Sequence, residues 1–437
     1  MRRPLMAFYG DDFTGSTENL AQFCRHGLSG RLFFSSGNHN AITSMAAELD
    51  IVGLAGTARG LVPEAITAEV EPALAVLAAI SPRLMQFKVC STFDSSPAMG
   101  SIGHVLDLAR QHWPGCALPV LPATPAFGRF TAFSHLFMCW GGEICRLDQN
   151  PTVSRHPSTP MLEADLRRHL AAQTAIPSAA VTLLDYREAD GGWRKLINAI
   201  EEERFVVLDA TDRVELQHAA DLLLRLSERR VTLAVAAQGL ADVLGEHWAK
   251  AQKERLVLPT TFAAVDKLLV LSGSCSPQTR AQLAHFEAHG GVILGLSPAE
   301  AIDDPVGTTS RLLSQMTDAF DRGHSVAISS ILGGGLDADV SAGHLSLALG
   351  GVFANLVREL REVGGIQRVV FSGGDTSSHA MRLINAEALD VVAFDEQQGG
   401  HLCRLVSTAS AVDGLEVVLK GGQIGREDFF SRVQRGI

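Results

Sequence analysis

Residues Phe371 to Met381 read FSGGDTSSHAM. An apolar strand pattern over Gln367–Phe371 passes through Gly373 and Gly374 into a helical pattern carrying Ala380, Met381, Leu383 and Ile384. A strand that opens through paired glycines onto a helix start exposes unbonded backbone N–H groups and the positive end of the helix dipole, which together attract anions. Asp375 stands where it can take a phosphate-bound Mg²⁺, and Thr376 completes the turn. Late in the chain, Leu419–Gly425 (LKGGQIG) supplies Lys420, a compact cation, with Gly421 and Gly422 behind it. A GGDT turn alone also serves as a tight strand–helix connection. A second glycine–lysine loop in the same half makes nucleotide phosphate the better reading.

Four further constellations carry chemistry. Tyr9–Ser16 (YGDDFTGS) puts Asp11 and Asp12 between a strand end and a helix start. Adjacent residues of an extended chain face opposite ways, so one carboxylate can enter a cleft while the other braces the loop. Helix capping explains one acidic residue; two of them between glycines favour a function. Lys88 leaves a strand into a hydroxyl-rich loop with Asp94 and Ser95, groups suited to a small polar acid, although a solvated Ser/Thr loop has the same composition. In Pro125–Thr131 (PAFGRFT), Arg129 and Thr131 suit a carboxylate clamp, or equally a surface turn. Ser272-Gly273-Ser274, before Cys275-Ser276-Pro277, ends the first strand of the second half. It reads as a helix cap with Pro at the first turn, or as a nucleotide contact.

These segments need strands and helices to hold them, and the sequence alternates the two nearly throughout. Strands are predicted near Leu5–Tyr9, Leu49–Leu54, Leu84–Val89, Leu118–Leu121, Val181–Leu184, Phe205–Leu208 and Val231–Ala236. The clearest helices are Ser16–His26, Glu64–Ile80, Gly192–Glu203 and Glu215–Glu228. Pro122–Pro160, rich in Pro, Thr, Gly and aromatics, reads as a long loop or a β-rich excursion. A charged helical stretch, His247–Arg255, precedes a fresh strand. The second half then repeats the pattern: strands 267–271, 292–296, 325–331, 367–371 and 415–420, helices 277–289, 310–321, 344–362 and 376–388. The expectation is an α/β chain of two domains, each a mainly parallel sheet flanked by helices. Residues 1–250 form one and 260–437 the other, with the active site in the cleft between them.

Composition fits this reading. The 437 residues exceed one ordinary core, and 46% are hydrophobic with 41 glycines, as buried parallel strands with glycine turns require. A net charge of −11 argues against a nucleic-acid partner, so an anionic substrate must be held by local cations. Only six of the 37 basic residues are lysine, and Lys88 and Lys420 both follow apolar strands. Seven cysteines without a CxxC pair fit reduced thiols and a cytoplasmic protein. Arg2 and Arg3 precede too short an apolar run for a signal peptide, and no stretch is long enough to span a membrane. There is no Gly-Lys dipeptide, hence no Walker A loop. No strand–GxGxxG–helix unit occurs either, and Gly333–Gly335 reads as a loop. His104, His135 and His344 lack metal-ligand spacing.

Taken in order, these motifs resemble the four-carbon acid sugar kinase family. YGDDFTGSTE is similar to its opening DDxTG motif, PAFGRFT to its arginine loop, and GSCSPQT, GGDTSS and LKGGQIG to its three nucleotide segments. The resemblance runs nearly end to end. It departs at KVCSTFDSSPAMG, which lacks the arginine of the family's usual lysine–DSTLRG-like loop. It departs also at the altered arginine loop, and at LKGGQIG where K-x-G-x-F-G is commoner. The resemblance implies ATP-dependent phosphorylation of a hydroxyl on a threonate, an erythronate or a 3-oxo-tetronate. Asp12, or second Asp11, would accept the hydroxyl proton, and Lys88, Asp94, Ser95, Arg129 and Thr131 would hold the acid. Ser272, Gly273, Ser274, Gly373–Thr376, Lys420, Gly421 and Gly422 would hold ATP, with Mg²⁺ on the phosphates near Asp375. It leaves room for a homodimer. The alternatives are a sensor of sugar acids or nucleotides that does not catalyse, and an α/β enzyme acting on sugar acids without ATP.

Overall fold

The computed structural model describes residues 2–34, 39–155, 159–252, 257–332, 342–363, 365–396, 399–408 and 410–436. Gly333–Gly335 and the end of the charged stretch before Leu256 lie outside them. The chain divides into two compact units. One comprises Met1–Asp11, Gln22–Gly30 and Ser36–Leu256; the other comprises Asp12–Ala21, Arg31–Ser35 and Val257–Ile437. The division falls between the two neighbouring aspartates. Both units are α/β.

The first unit holds a parallel sheet in the order Ile51–Ala55, Met6–Gly10, Leu84–Lys88, Leu233–Ala236, Leu118–Leu121, Phe205–Leu208, Ser178–Val181. Its strands Met6–Gly10 and Ile51–Ala55 are buried along their whole length, and Leu84–Lys88 is buried too although it carries Gln86 and Lys88, with helices such as Pro63–Ile80 and Ile102–His112 beside them. From Met6–Gly10 the chain first builds the strand on one side, Ile51–Ala55, and then the strand on the other, Leu84–Lys88. Such a reversal opens a crevice at the carboxyl ends. Gly10, Ala55 and Lys88 end these three strands side by side. The expected strand at Val181–Leu184 lies earlier, at Ser178–Val181, since Asp185 turns the chain by accepting from the Thr182 amide at 2.6 Å. Within Pro122–Pro160 the chain forms an antiparallel sheet of Arg129–Ala132, His135–Trp140 and Glu143–Arg146.

The second unit holds five parallel strands in the order Val292–Gly295, Val326–Ser329, Leu269–Ser272, Arg368–Ser372, Glu416–Lys420. Leu402–Val406 and Ala388–Ala393 continue it antiparallel, and Leu32 and Phe33 pair with Leu389 and Ala388. The helix expected over 376–388 therefore stops early, at Leu383. Asn385 adopts φ +66°, which a continuing helix does not allow. One face of the sheet is packed by Leu283 and Phe286 of helix Pro277–Ala288 and by Phe429, Phe430 and Val433 of helix Phe429–Arg435. Among the described residues no helix is long and apolar enough to cross a membrane.

Candidate functional site

In the second unit, four parallel strands end in polar residues that pair side by side: Ser329 with Ser272, Ser272 with Ser372, and Ser372 with Lys420. All four are buried. Glycines follow three of them, and the resulting loops are stitched together. The Gly273 amide donates to Ser372 O at 3.0 Å, and the Gly373 amide to Lys420 O at 2.9 Å. Gly373 sits at φ +120°, a conformation for which glycine is the natural occupant. A Cβ on Gly273 would lie 2.3 Å from Thr376 Oγ1, so the first two loops approach as closely as only glycine permits.

Gly374 begins a helix of 10 residues, and the first turn carries Asp375, which is exposed. Beside this amide-rich end, the hydroxyls of Ser272 and Ser377 are buried without a hydrogen-bond partner. A buried hydroxyl with no partner costs roughly 1–3 kcal/mol, so these two retain the capacity to bond a further group, a ligand or a water. Ser274 and Ser276 belong to a second cluster: Ser276 caps helix Pro277–Ala288 by accepting from the Thr279 amide at 3.1 Å, and Thr279 Oγ1 donates to Gly422 O at 3.0 Å. That contact fixes the third glycine loop.

Lys420 lies beneath these loops. Its Nζ is 3.0 Å from Gly421 O, 3.3 Å from Ser372 Oγ and 3.4 Å from Thr279 Oγ1, and the side chain is fully buried. Burial pulls its pKa down to about 7. The compact cation read from the sequence is thus placed under the strand ends, bonded to their loops.

Asp12 is grouped with this unit. Its Oδ1 accepts from the Gly15 amide at 3.1 Å, capping helix Phe13–Cys24. The Phe13 amide donates to Ser378 Oγ at 3.2 Å. One turn on, Glu18 meets His401 at 2.9 Å, with the His401 ring stacked on Phe394.

In the first unit, Asp11 follows Gly10. Its amide donates to Lys88 O at 3.0 Å, and Arg59 places Nη2 2.9 Å from Oδ1 and Nε 3.3 Å from Oδ2. Lys88 is buried and gives Nζ to Val89 O at 2.8 Å. Farther along that loop Asp94 is half-buried, and Ser95 Oγ stands 2.8 Å from His169 Nε2 and 3.1 Å from Gln173 Nε2. Burial lowers the His169 pKa to about 4, so the ring is neutral near pH 7. Arg129 opens the antiparallel sheet, donating to Phe127 O while its buried Nε has no partner. The Thr131 hydroxyl is likewise buried and unpartnered.

Asp11 and Lys88 thus stand on adjacent strand ends, with Asp94 and Ser95 on the loop that follows Lys88. The three glycine loops expected to take nucleotide follow neighbouring strand ends. Arg59, His169 and Gln173 in the first unit, and Ser329, Ser378 and His401 in the second, are not anticipated by the sequence. None of these lies in a motif with a spacing of its own, and only Ser378 falls inside a quoted stretch.

Two family models match: a sugar-binding N-terminal domain over residues 6–244 and a nucleotide-binding C-terminal domain over residues 269–430. The chain is 36% identical to a 3-oxo-isoapionate kinase of Paraburkholderia graminis, over 99% of this chain and 94% of that protein. It is 28% identical to a 3-oxo-tetronate kinase of Pectobacterium atrosepticum, over 97% of each. It shares its fold with solved structures of a Haemophilus influenzae protein (22% identity, TM-score 0.69, covering 98% of this chain and 99% of that one) and a Salmonella typhimurium protein (23%, 0.78, 98% of each). Full-length likeness to named kinases, with a sugar-binding model and a nucleotide-binding model over successive halves, places this chain in the four-carbon acid sugar kinase family.

Proposed function

We propose that the protein transfers the γ-phosphoryl group of ATP to a hydroxyl of a small sugar acid: a threonate, an erythronate, a 3-oxo-tetronate, or the 3-oxo-isoapionate of its relative's name. The observation that carries this is the triple glycine-loop cradle with two unpartnered buried hydroxyls at a helix start, in the half matched by a nucleotide-binding model. Backbone amides of Gly374–Thr376 and of Gly421 and Gly422 hold the phosphates, Gly373 shaping the turn with its own amide on Lys420 O, and Ser272 and Ser274 add hydroxyls. Lys420 supplies charge from below. Phosphoryl transfer asks mainly for positioning and charge neutralisation, which such a cradle provides.

Mg²⁺ suits this donor set. Asp375 stands exposed in the first turn of the helix whose amides face the phosphates. One such carboxylate can touch an ion borne mainly by phosphate oxygens. When bound, it neutralises charge on the transferring group.

On the acceptor side, Arg129 holds the carboxylate, with Thr131, Ser95 and Asp94 for hydroxyl and keto groups. Lys88 acts from its buried position beside Asp11. Asp12 is our choice for taking the hydroxyl proton, with Asp11 second, because Asp11 turns both oxygens to Arg59. The test is ADP release with ATP and Mg²⁺ against the four acids named above. We expect one acid to give turnover well above the others; no release and no phosphorylated product with any of them removes the kinase reading.

A further inference from the structure

We infer that Ser378 is a positioning residue for phosphoryl transfer, its single hydroxyl fixing the start of the Asp12 helix against the phosphate loop. The inference rests on the kinase reading above. Ser378 lies one turn into helix Gly374–Leu383 and is 4% exposed. Its Oγ–H donates to Gly374 O at 2.9 Å, the carbonyl one turn back. Its lone pair accepts from the Phe13 amide at 3.2 Å.

Phe13 begins helix Phe13–Cys24, and its amide is one of the first-turn donors that have no partner inside a helix. Asp12 satisfies the third of these, at Gly15. Ser378 satisfies the first, 365 residues away in sequence. One hydroxyl therefore joins two helix starts: the one bearing the carboxylate chosen as base, and the one whose amides cradle phosphate.

Alanine has good helix propensity and keeps the size nearly unchanged, so Ser378→Ala removes the link without disturbing the helix that carries it. The Phe13 amide then loses its acceptor, and the start of the Asp12 helix loses this tie to the phosphate loop. A misplacement near 1 Å costs about 10²-fold in rate. Ground-state nucleotide contacts, made by main-chain amides, are left in place.

The experiment compares wild type, Ser378→Ala and Ser378→Thr. It measures steady-state kinetics with ATP–Mg²⁺ and the best acid of the panel, and hydrogen exchange of the peptide spanning residues 11–17. Threonine keeps the hydroxyl and is the rescue variant. We expect Ser378→Ala to lower kcat by about 10–100-fold while KM for ATP moves less than threefold. We also expect faster exchange at the start of the Asp12 helix, with both changes reversed in Ser378→Thr. Should threonine's extra methyl prevent folding, the exchange and kinetic results for Ser378→Ala decide alone. Unchanged exchange in Ser378→Ala overturns the link, and unchanged kcat overturns its role in transfer. An equal rise in both KM values with no fall in kcat points to a purely structural bond and also overturns it. A wild-type protein inactive on every acid instead removes the kinase reading on which the inference stands.

Discussion

Lys420 spends all three ammonium donors on Gly421 O, Ser372 Oγ and Thr279 Oγ1. This geometry separates its two services: it pins the loops mechanically, and it lends charge to whatever anion lies above them. The charge depends wholly on its proton, whereas a neutral amine still keeps two of the three N–H donors. With the pKa drawn down to about 7 by burial, the folded protein without nucleotide carries the ammonium below that pH and a neutral amine above it. Bound phosphate favours the charged form, so nucleotide binding takes up a proton as pH rises past 7. KM for ATP should accordingly be flat below about pH 6.5 and climb above pH 7, up to tenfold per pH unit. Lys420→Met should start from a higher KM and lose the slope; a slope that survives in the variant assigns the titration to another group. Lys420 and its glycines were readable because their chemistry is local in sequence. Arg59 was not, because the residue that gives it meaning, Asp11, lies 48 positions away and no spacing rule connects a guanidinium to a carboxylate across a sheet.

Elements place these groups in rows. The alternation of apolar runs with helical periods is enough to predict nearly every parallel strand, because buried parallel strands read as near-continuous apolar runs. The antiparallel pair Ala388–Ala393 and Leu402–Val406 escaped for the converse reason. Apolar spacing after Met381 keeps helical period through Ala386 and Ala388, and nothing but the left-handed Asn385 marks the break. Likewise the short helix Leu166–Ala171 carried no signal for a site, yet it delivers His169 to Ser95 in the loop after Lys88. Burial holds this imidazole near pKa 4, against 6.5 in an unfolded chain. The depressed value means that the unfolded state takes up the proton first as pH falls. Stability is therefore intact above about pH 6.5 and is lost progressively down to pH 4, by roughly 3 kcal/mol at the acid end. His169→Gln should shallow the fall of urea midpoint over that interval. If the variant's pH profile parallels the wild type, the ring is not the group that titrates.

At the level of the whole chain, motif order and spatial grouping differ. The DDFTGSTE segment stands first in the sequence and so reads as part of the N-terminal half. Residues 12–21 and 31–35 nevertheless group with residues 257–437, through bonds that span more than 350 positions: Phe13 to Ser378, Glu18 to His401, and Arg31 to both oxygens of Asp390 at 2.7 Å. Leu32 and Phe33 pair with Leu389 and Ala388 along the outer side of Ala388–Ala393. A fragment starting at residue 257 would expose Ala388–Ala393 as an unpaired edge and leave Asp390, His401 and Ser378 without these partners. Unpaired edges recruit other chains. ATP–Mg²⁺ at a hundredfold its Kd should stabilise the full-length protein by about 2.7 kcal/mol, seen as a raised unfolding temperature. The fragment, despite keeping every glycine loop of the cradle, should aggregate or show less than half of that shift. A monomeric fragment with the full shift would mean that the nucleotide site is complete within residues 257–437, and that the early segments serve only the transfer step.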